Sequence, residues 1–112
     1  MSKIIYILLF LTVLGFSETI EEKAENNVDC LILEDENSII CKYEHKRIDE
    51  DKEIQVQWIN PQGEISRERI LLIPAGHGSI YDFRYISGRL KGTWQFIVVD
   101  KDIKLNTSFE IQ

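Results

Sequence analysis

The sequence predicts an all-β protein of about seven short antiparallel strands, arranged as a β-sandwich or a small barrel, and two observations carry this prediction. First, polar and apolar residues alternate in short segments such as Glu53–Asn60, where Ile54, Val56 and Trp58 fall on one face. Second, turn residues separate the segments. Asn60–Gly63 begins with Asn, continues with Pro and ends with Gly, as type I turns prefer. We expect no helix after residue 17.

Each further strand is a short alternating or apolar segment that ends at a turn. Pro74–Gly78 and Gly88–Gly92 have the composition of loops. The acidic segment Arg47–Glu53 lacks the glycine and the ligand spacing of a calcium loop, so we expect a solvated connection. The predicted strands are Val28–Leu33, Ser38–His45, Glu53–Asn60, Glu64–Ile73, Ser79–Ser87, Thr93–Asp100 and Ile103–Gln112.

The N-terminus has the pattern of a secretory signal peptide. Lys3 precedes an apolar run, Ile4–Phe16, and the small residues Gly15 and Ser17 suit cleavage after Ser17. A retained membrane anchor is the alternative, but a span needs about 20 apolar residues. The sequence therefore predicts a signal peptide at residues 1–17, a flexible polar lead-in at 18–27, and a single domain at 28–112 that is periplasmic or secreted.

The two cysteines predict a disulfide. Exported proteins keep disulfides, and a zinc site would need four ligands in a recognisable spacing. Only Cys30, Cys41, His45 and His77 offer nitrogen or sulfur, with no CxxC or HxxxH motif, so we expect neither a metal nor another cofactor.

A hairpin brings these cysteines face to face. If Glu34–Asn37 is the loop, Leu33 pairs with Ser38, and the register then places Cys30 opposite Cys41. In a non-hydrogen-bonded antiparallel pair the Cα atoms lie about 4.5 Å apart, which suits a disulfide.

Two segments resemble a known family. "IQVQWINPQGE" (54–64) and "GRLKGTWQFIVVDKDIKLNTSFEI" (88–111) are similar to exported bacterial immunoglobulin-like β-sandwich modules. The resemblance implies that architecture. Immunoglobulin domains join their two sheets with cysteines on strands B and F, whereas both cysteines here lie in the first third of the chain, and no cysteine accompanies Trp94. The resemblance therefore carries no binding residues across.

Charge and spacing exclude several function classes. The net charge of −6 argues against nucleic acid and against an anionic membrane surface as partners. His77, Ser79 and Asp82 are close in sequence, but no G-x-S-x-G motif accompanies them. We therefore expect no enzymatic activity, and the alternative is a hydrolase in which these three side chains converge.

Arginines and tyrosines suggest a binding face. If Ser66–Ile73 and Ile80–Ile86 are neighbouring strands, their guanidinium groups and tyrosines approach one another, and these residue types are enriched in protein interfaces. The alternative is a solvated face where the arginines pair with Glu64, Glu68 or Asp82, with Tyr81, Phe83 and Tyr85 in the core. The candidate face comprises Arg67, Arg69, His77, Tyr81, Arg84, Tyr85 and Arg89.

The sequence thus predicts a non-enzymatic interaction or assembly module that docks another envelope or extracellular protein. The alternative is a protein that binds a small anionic ligand or an ion with the same face.

Overall fold

The computed structural model describes residues 26–112, where seven strands form two antiparallel sheets. The predicted signal peptide and most of the predicted lead-in lie outside these residues. Within them there is no α-helix, and only a short 3₁₀ turn, Glu34–Glu36, joins the first two strands. The strands are β1 (Asn27–Leu33), β2 (Ser38–Glu44), β3 (Lys52–Ile59), β4 (Ile65–Ile73), β5 (Ser79–Tyr85), β6 (Gly92–Asp100) and β7 (Ile103–Ile111). The prediction of an all-β fold with about seven strands is confirmed.

The two sheets share one hydrophobic core. Sheet A has the strand order β1-β2-β5, and sheet B has the order β4-β3-β6-β7. Buried side chains from both sheets form a single cluster, with Ile39 and Tyr43 from sheet A and Trp58, Phe96 and Val98 from sheet B. The sheets therefore lie against each other and bury alternate side chains of each strand.

The expectation that β4 and β5 are neighbouring strands is wrong. β4 pairs with β3, and β5 pairs with β2, so the two are edge strands of different sheets. They meet through side chains rather than through a ladder of backbone hydrogen bonds, and this arrangement creates the site described below.

The first hairpin has the predicted register. Leu33 pairs with Ser38, and Cys30 pairs with Cys41. A disulfide joins the two cysteines, whose Cα atoms lie 4.1 Å apart, somewhat closer than the distance expected from the pairing alone. Asn37 closes the turn in the left-handed conformation, which asparagine adopts more readily than most residues. The disulfide is consistent with an oxidising, extracellular environment.

The central strands of sheet B have the predicted alternation. Val56, Trp58 and Phe96 are buried, and the Trp58 and Phe96 rings meet edge to face with their centroids 5.2 Å apart. The chain also reverses after β3 where a turn was predicted, and the Gly63 amide donates to the Asn60 carbonyl at 2.9 Å. None of the helical structure in residues 26–112 is long and apolar enough to cross a bilayer.

Candidate functional site

Strand β5 presents its aromatic side chains to solvent and its charged side chains to the interior. Tyr81, Phe83 and Tyr85 are 59%, 50% and 58% exposed, whereas Asp82 and Arg84 are only 4% and 8% exposed. The alternative in which the three aromatic residues belong to the core is therefore wrong. The physical reason is that the inner face of β5 contacts two tryptophan rings, which lie against the Arg84 guanidinium, and two arginines, which pair with Asp82.

Asp82 is the acceptor at the centre of this interior cluster. Its Oδ2 accepts a hydrogen bond from Trp58 Nε1 at 2.8 Å, and its Oδ1 accepts one from Arg69 Nη1 at 2.7 Å. Arg67 Nη1 forms a longer ion pair of 3.7 Å with the same Oδ1. A buried carboxylate is stable only when it is paired and hydrogen-bonded, and these three donors supply both conditions.

Arg84 is buried against the two tryptophans of the chain. Its Cζ lies 5.5 Å from the ring centroid of Trp58 and 5.9 Å from that of Trp94, within the range of cation–π attraction. Its Nη1 donates to Ser66 Oγ at 3.0 Å. Ser66 has no Cα partner on β3, because the β3–β4 register shifts after Trp58.

The charge of Arg84 is only partly compensated. Among the described residues it has no carboxylate within salt-bridge distance, and its buried Nε has no hydrogen-bond acceptor. Burial and the neighbouring Arg89 and Arg67 together lower its pKa from 12.5 to about 10, while the charge of Asp82 opposes them. Keeping Arg84 buried and charged therefore reduces the stability of the folded state.

Arg84 also lies at a cleft between the edges of the two sheets. We call this the arginine cleft. Its volume is about 290 Å³. It is lined by Arg67, Arg69, Phe83, Arg84, Tyr85 and Arg89.

The cleft concentrates positive charge on an acidic protein. It holds four of the chain's five arginines beside one buried carboxylate, a local excess of three positive charges. Arg89 contributes a second buried Nε without an acceptor, and no described carboxylate pairs with it. An anion entering the cleft would meet guanidinium groups that no described carboxylate pairs with, and their planar geometry suits carboxylates and phosphates.

The exposed aromatic residues form a second surface, the aromatic strip, defined by Tyr81, Phe83 and Tyr85. The Phe83 and Tyr85 rings meet edge to face with their centroids 5.6 Å apart. The register places Phe83 in one row with Ile40 and Leu31, and Leu31 is 60% exposed. The outer face of sheet A therefore has an apolar centre next to the arginine cleft, because Phe83 and Tyr85 belong to both.

The structure thus divides the predicted binding face. Arg67, Arg69, Arg84 and Arg89 line the cleft together with Tyr85, whereas Tyr81 lies only on the aromatic strip. His77 is exposed in the loop before β5 and lies outside the cleft lining.

Sequence reasoning missed the contributions of Trp58, Trp94 and Ser66. Both tryptophans have the alternation of core residues, and they are buried as expected. No local signal shows that their rings also hold Arg84, because the three residues come from different strands. The register shift that leaves Ser66 unpaired likewise has no sequence marker, since no glycine accompanies it.

The residues of the possible hydrolase do not form a catalytic arrangement. Ser79 and Asp82 fall on opposite faces of β5 by strand alternation, and Trp58 and Arg69 occupy the carboxylate oxygens of Asp82. Residues 26–112 also contain no group of three or more His, Cys, Asp or Glu side chains arranged to hold a metal ion.

A separate polar cluster joins the two sheets at a distance from the cleft. Asp100 accepts hydrogen bonds from the Tyr43 hydroxyl at 2.7 Å and from Lys52 Nζ at 2.8 Å. Burial raises the pKa of Tyr43 to about 12, and its bond to Asp100 acts in the same direction. The pKa of Asp100 is lowered, because the donors Lys52 and Tyr43 outweigh the opposing effect of burial. We assign this cluster a structural role.

No protein-family model matches this chain, and no curated protein has a matching sequence.

Proposed function

We propose that this protein is an exported, non-enzymatic interaction module with an immunoglobulin-like sandwich fold, and that its partner docks on the aromatic strip. The observation that carries the proposal is the outward orientation of Tyr81, Phe83 and Tyr85, each at least half exposed on one edge strand. Export is supported by the signal-peptide pattern and by the disulfide. The fold is supported by the family resemblance and by the two antiparallel sheets.

The strip has the composition and layout of a protein interface. Aromatic residues supply large contact areas with few rotatable bonds, and they are enriched where proteins bind one another. The apolar row of Leu31, Ile40 and Phe83 lies between two rows that contain the polar residues Ser38 and Lys42. An apolar centre with a polar rim is the usual arrangement of such surfaces.

A triple substitution of the strip tests this proposal. We expect the variant with Tyr81→Ser, Phe83→Ser and Tyr85→Ser to fold, because the three side chains point away from the core. The matched control carries Ile70→Ser and Leu72→Ser, which alter exposed apolar residues on the outer face of sheet B. Circular dichroism and urea unfolding check that both variants are folded.

Each tagged protein is then exported in its own host, cross-linked and recovered, and a specific partner is verified with purified components. We expect the wild type and the control to bind the same partner and the strip variant to lose it. Equal recovery of that partner by the folded strip variant would overturn the proposal.

A second candidate function is the binding of a small anionic ligand in the arginine cleft. The excess of arginines over carboxylates favours it. Thermal unfolding with glutarate, inorganic phosphate and Mg²⁺ tests it, with Arg67→Gln as the cleft variant and Arg47→Gln as the control on an arginine outside the cleft. A rise in Tm with an anion, lost only in Arg67→Gln, supports this function, and no rise with any of the three contradicts it.

A further inference from the structure

We propose that the partner presents an acidic segment, with a Glu or Asp carboxylate inserted in the arginine cleft and a neighbouring apolar side chain packed on Phe83 and Tyr85. This inference rests on the proposed function and names the chemistry of the partner. It follows from the position of the cleft, which shares two of its lining residues with the aromatic strip.

The positive charge of the cleft is not fully compensated. Asp82 engages Arg69 and Arg67, which leaves Arg84 and Arg89 without a carboxylate among the described residues. Guanidinium groups donate in a fork that matches the two oxygens of a carboxylate. A carboxylate from the partner would therefore supply the acceptor that the protein itself lacks here.

The cleft has room for an acidic side chain of the partner. Its volume of about 290 Å³ is at the lower limit of the range for pockets that enclose a whole small molecule, about 300–1,000 Å³. Because Phe83 and Tyr85 line the cleft and also belong to the aromatic strip, the neighbours of that side chain would contact the strip.

The charge of the whole protein disfavours a long polyanion as the partner. The protein has 19 acidic and 13 basic residues, so the arginine cleft is a small positive area on a negative molecule. A nucleic acid would extend beyond the cleft and meet repulsive charge. A single carboxylate between apolar residues meets only the favourable area.

A side chain of β4 already binds the backbone of β5 at this edge. Arg67 Nη1 donates to the Phe83 carbonyl at 3.3 Å. An added strand would need this carbonyl as an acceptor for one of its backbone N–H groups. The partner is therefore expected to bind through side chains at this place, rather than by extending sheet A.

Two short capped peptides test the inference by fluorescence anisotropy with the exported protein. One alternates glutamate with leucine between Gly-Ser ends, and the other replaces each glutamate by glutamine. We expect the glutamate peptide to bind on the order of tenfold more tightly, because it forms charge-assisted hydrogen bonds that the amide cannot form. Added salt is expected to reduce the difference in affinity between the two peptides.

Variants assign the effect to the cleft. Arg67→Gln and Arg89→Gln change residues that are only partly buried, and we expect each to reduce the preference for glutamate. Arg47→Gln removes the one arginine outside the cleft and is expected to leave the preference unchanged. Free glutarate and inorganic phosphate serve as competitors and are expected to displace the peptide only at much higher concentration.

Three results would overturn the inference: equal affinity for the two peptides, no binding of either peptide, or displacement by glutarate or phosphate as effective as by the peptide itself. Partner recovery separates this failure from that of the proposed function. If Arg89→Gln retains the partner that the strip variant loses, the inference fails and the function stands. If both variants retain it, the proposed function fails.

Discussion

The indole Nε1 of Trp58 donates a 2.8 Å hydrogen bond to Oδ2 of Asp82, and this bond connects a central strand of sheet B to an edge strand of sheet A. Both residues are buried, so the bond is shielded from water. A hydrogen bond to a charged acceptor in such surroundings is among the stronger polar contacts in proteins. Asp82 therefore fixes the edge of sheet A against sheet B and keeps Arg69 next to the cleft.

Replacement of Asp82 by Asn is expected to destabilise the fold by about 2–3 kcal/mol. The amide is uncharged, so Arg67 and Arg69 lose their counter-charge. Arg84 loses the nearby negative charge that favours its protonated form. Urea unfolding measures the change. Asp35→Asn, in the exposed turn after β1, is the control and is expected to have little effect. Equal stability of the two variants would contradict the assigned role of Asp82.

Removal of the disulfide is expected to cost roughly 3 kcal/mol in the chain-entropy model, because the bond restricts an 11-residue separation in the unfolded chain. The double variant Cys30→Ala and Cys41→Ala, unfolded in urea beside the oxidised wild type, measures this loss. Thiol labelling of the protein purified under oxidising conditions, without reductant, should give no adduct. Labelling at both cysteines would show that the disulfide does not form.

The hydroxyl of Tyr43 is expected to ionise about two pH units later than an ordinary tyrosine. Its pKa is raised from 10.0 to about 12 by burial and by the hydrogen bond to Asp100, so the folded state keeps a proton that the unfolded state releases. The resulting stability is complete below pH 10 and declines as the pH rises from 10 to about 12.

Ultraviolet absorbance of tyrosinate follows this ionisation directly. Tyr43→Phe should remove the late step, near pH 12, from the absorbance titration. A titration curve of this variant that matches the wild type above pH 10 would contradict the prediction.

Gly92 is expected to be less tolerant of substitution than Gly88. Both have positive φ, but Gly92 lies at φ 127°, and an added Cβ would come within 3.0 Å of Cβ and Cγ of Pro61. Gly88, at φ 85°, has nothing within 4 Å of such an atom. We expect Gly88→Ala to cost about 1–2 kcal/mol and Gly92→Ala roughly 2–4 kcal/mol, as measured by urea unfolding. The reverse order would contradict the close approach of Pro61.

Much of the fold follows from local patterns. Alternation around Val56 and Phe96 defines the central strands, and the acidic turn between Cys30 and Cys41 sets the first register. These features are predictable because each depends on residues that are close in sequence, or on a covalent bond that only one pairing allows.

The candidate site was less predictable, since it depends on contacts between the sheets. The alternation of β5 is clear, but the larger apolar area of Tyr81, Phe83 and Tyr85 favours the wrong face. Only the positions of Trp58 and Arg69, which come from other strands, explain why Asp82 and Arg84 turn inward. The spacing of residues along the sequence does not show that these strands contact one another.

The disulfide bond between Cys30 and Cys41 also has a mechanical consequence. If a bound partner pulls on the chain, tension that enters at β1 passes through the sulfur atoms and bypasses the residues between the cysteines. Those residues would otherwise add about 30–35 Å of extended length. Under load, the fully extended chain is therefore shorter than its number of residues suggests. The turn at the end of sheet A keeps its shape while the rest of the chain extends.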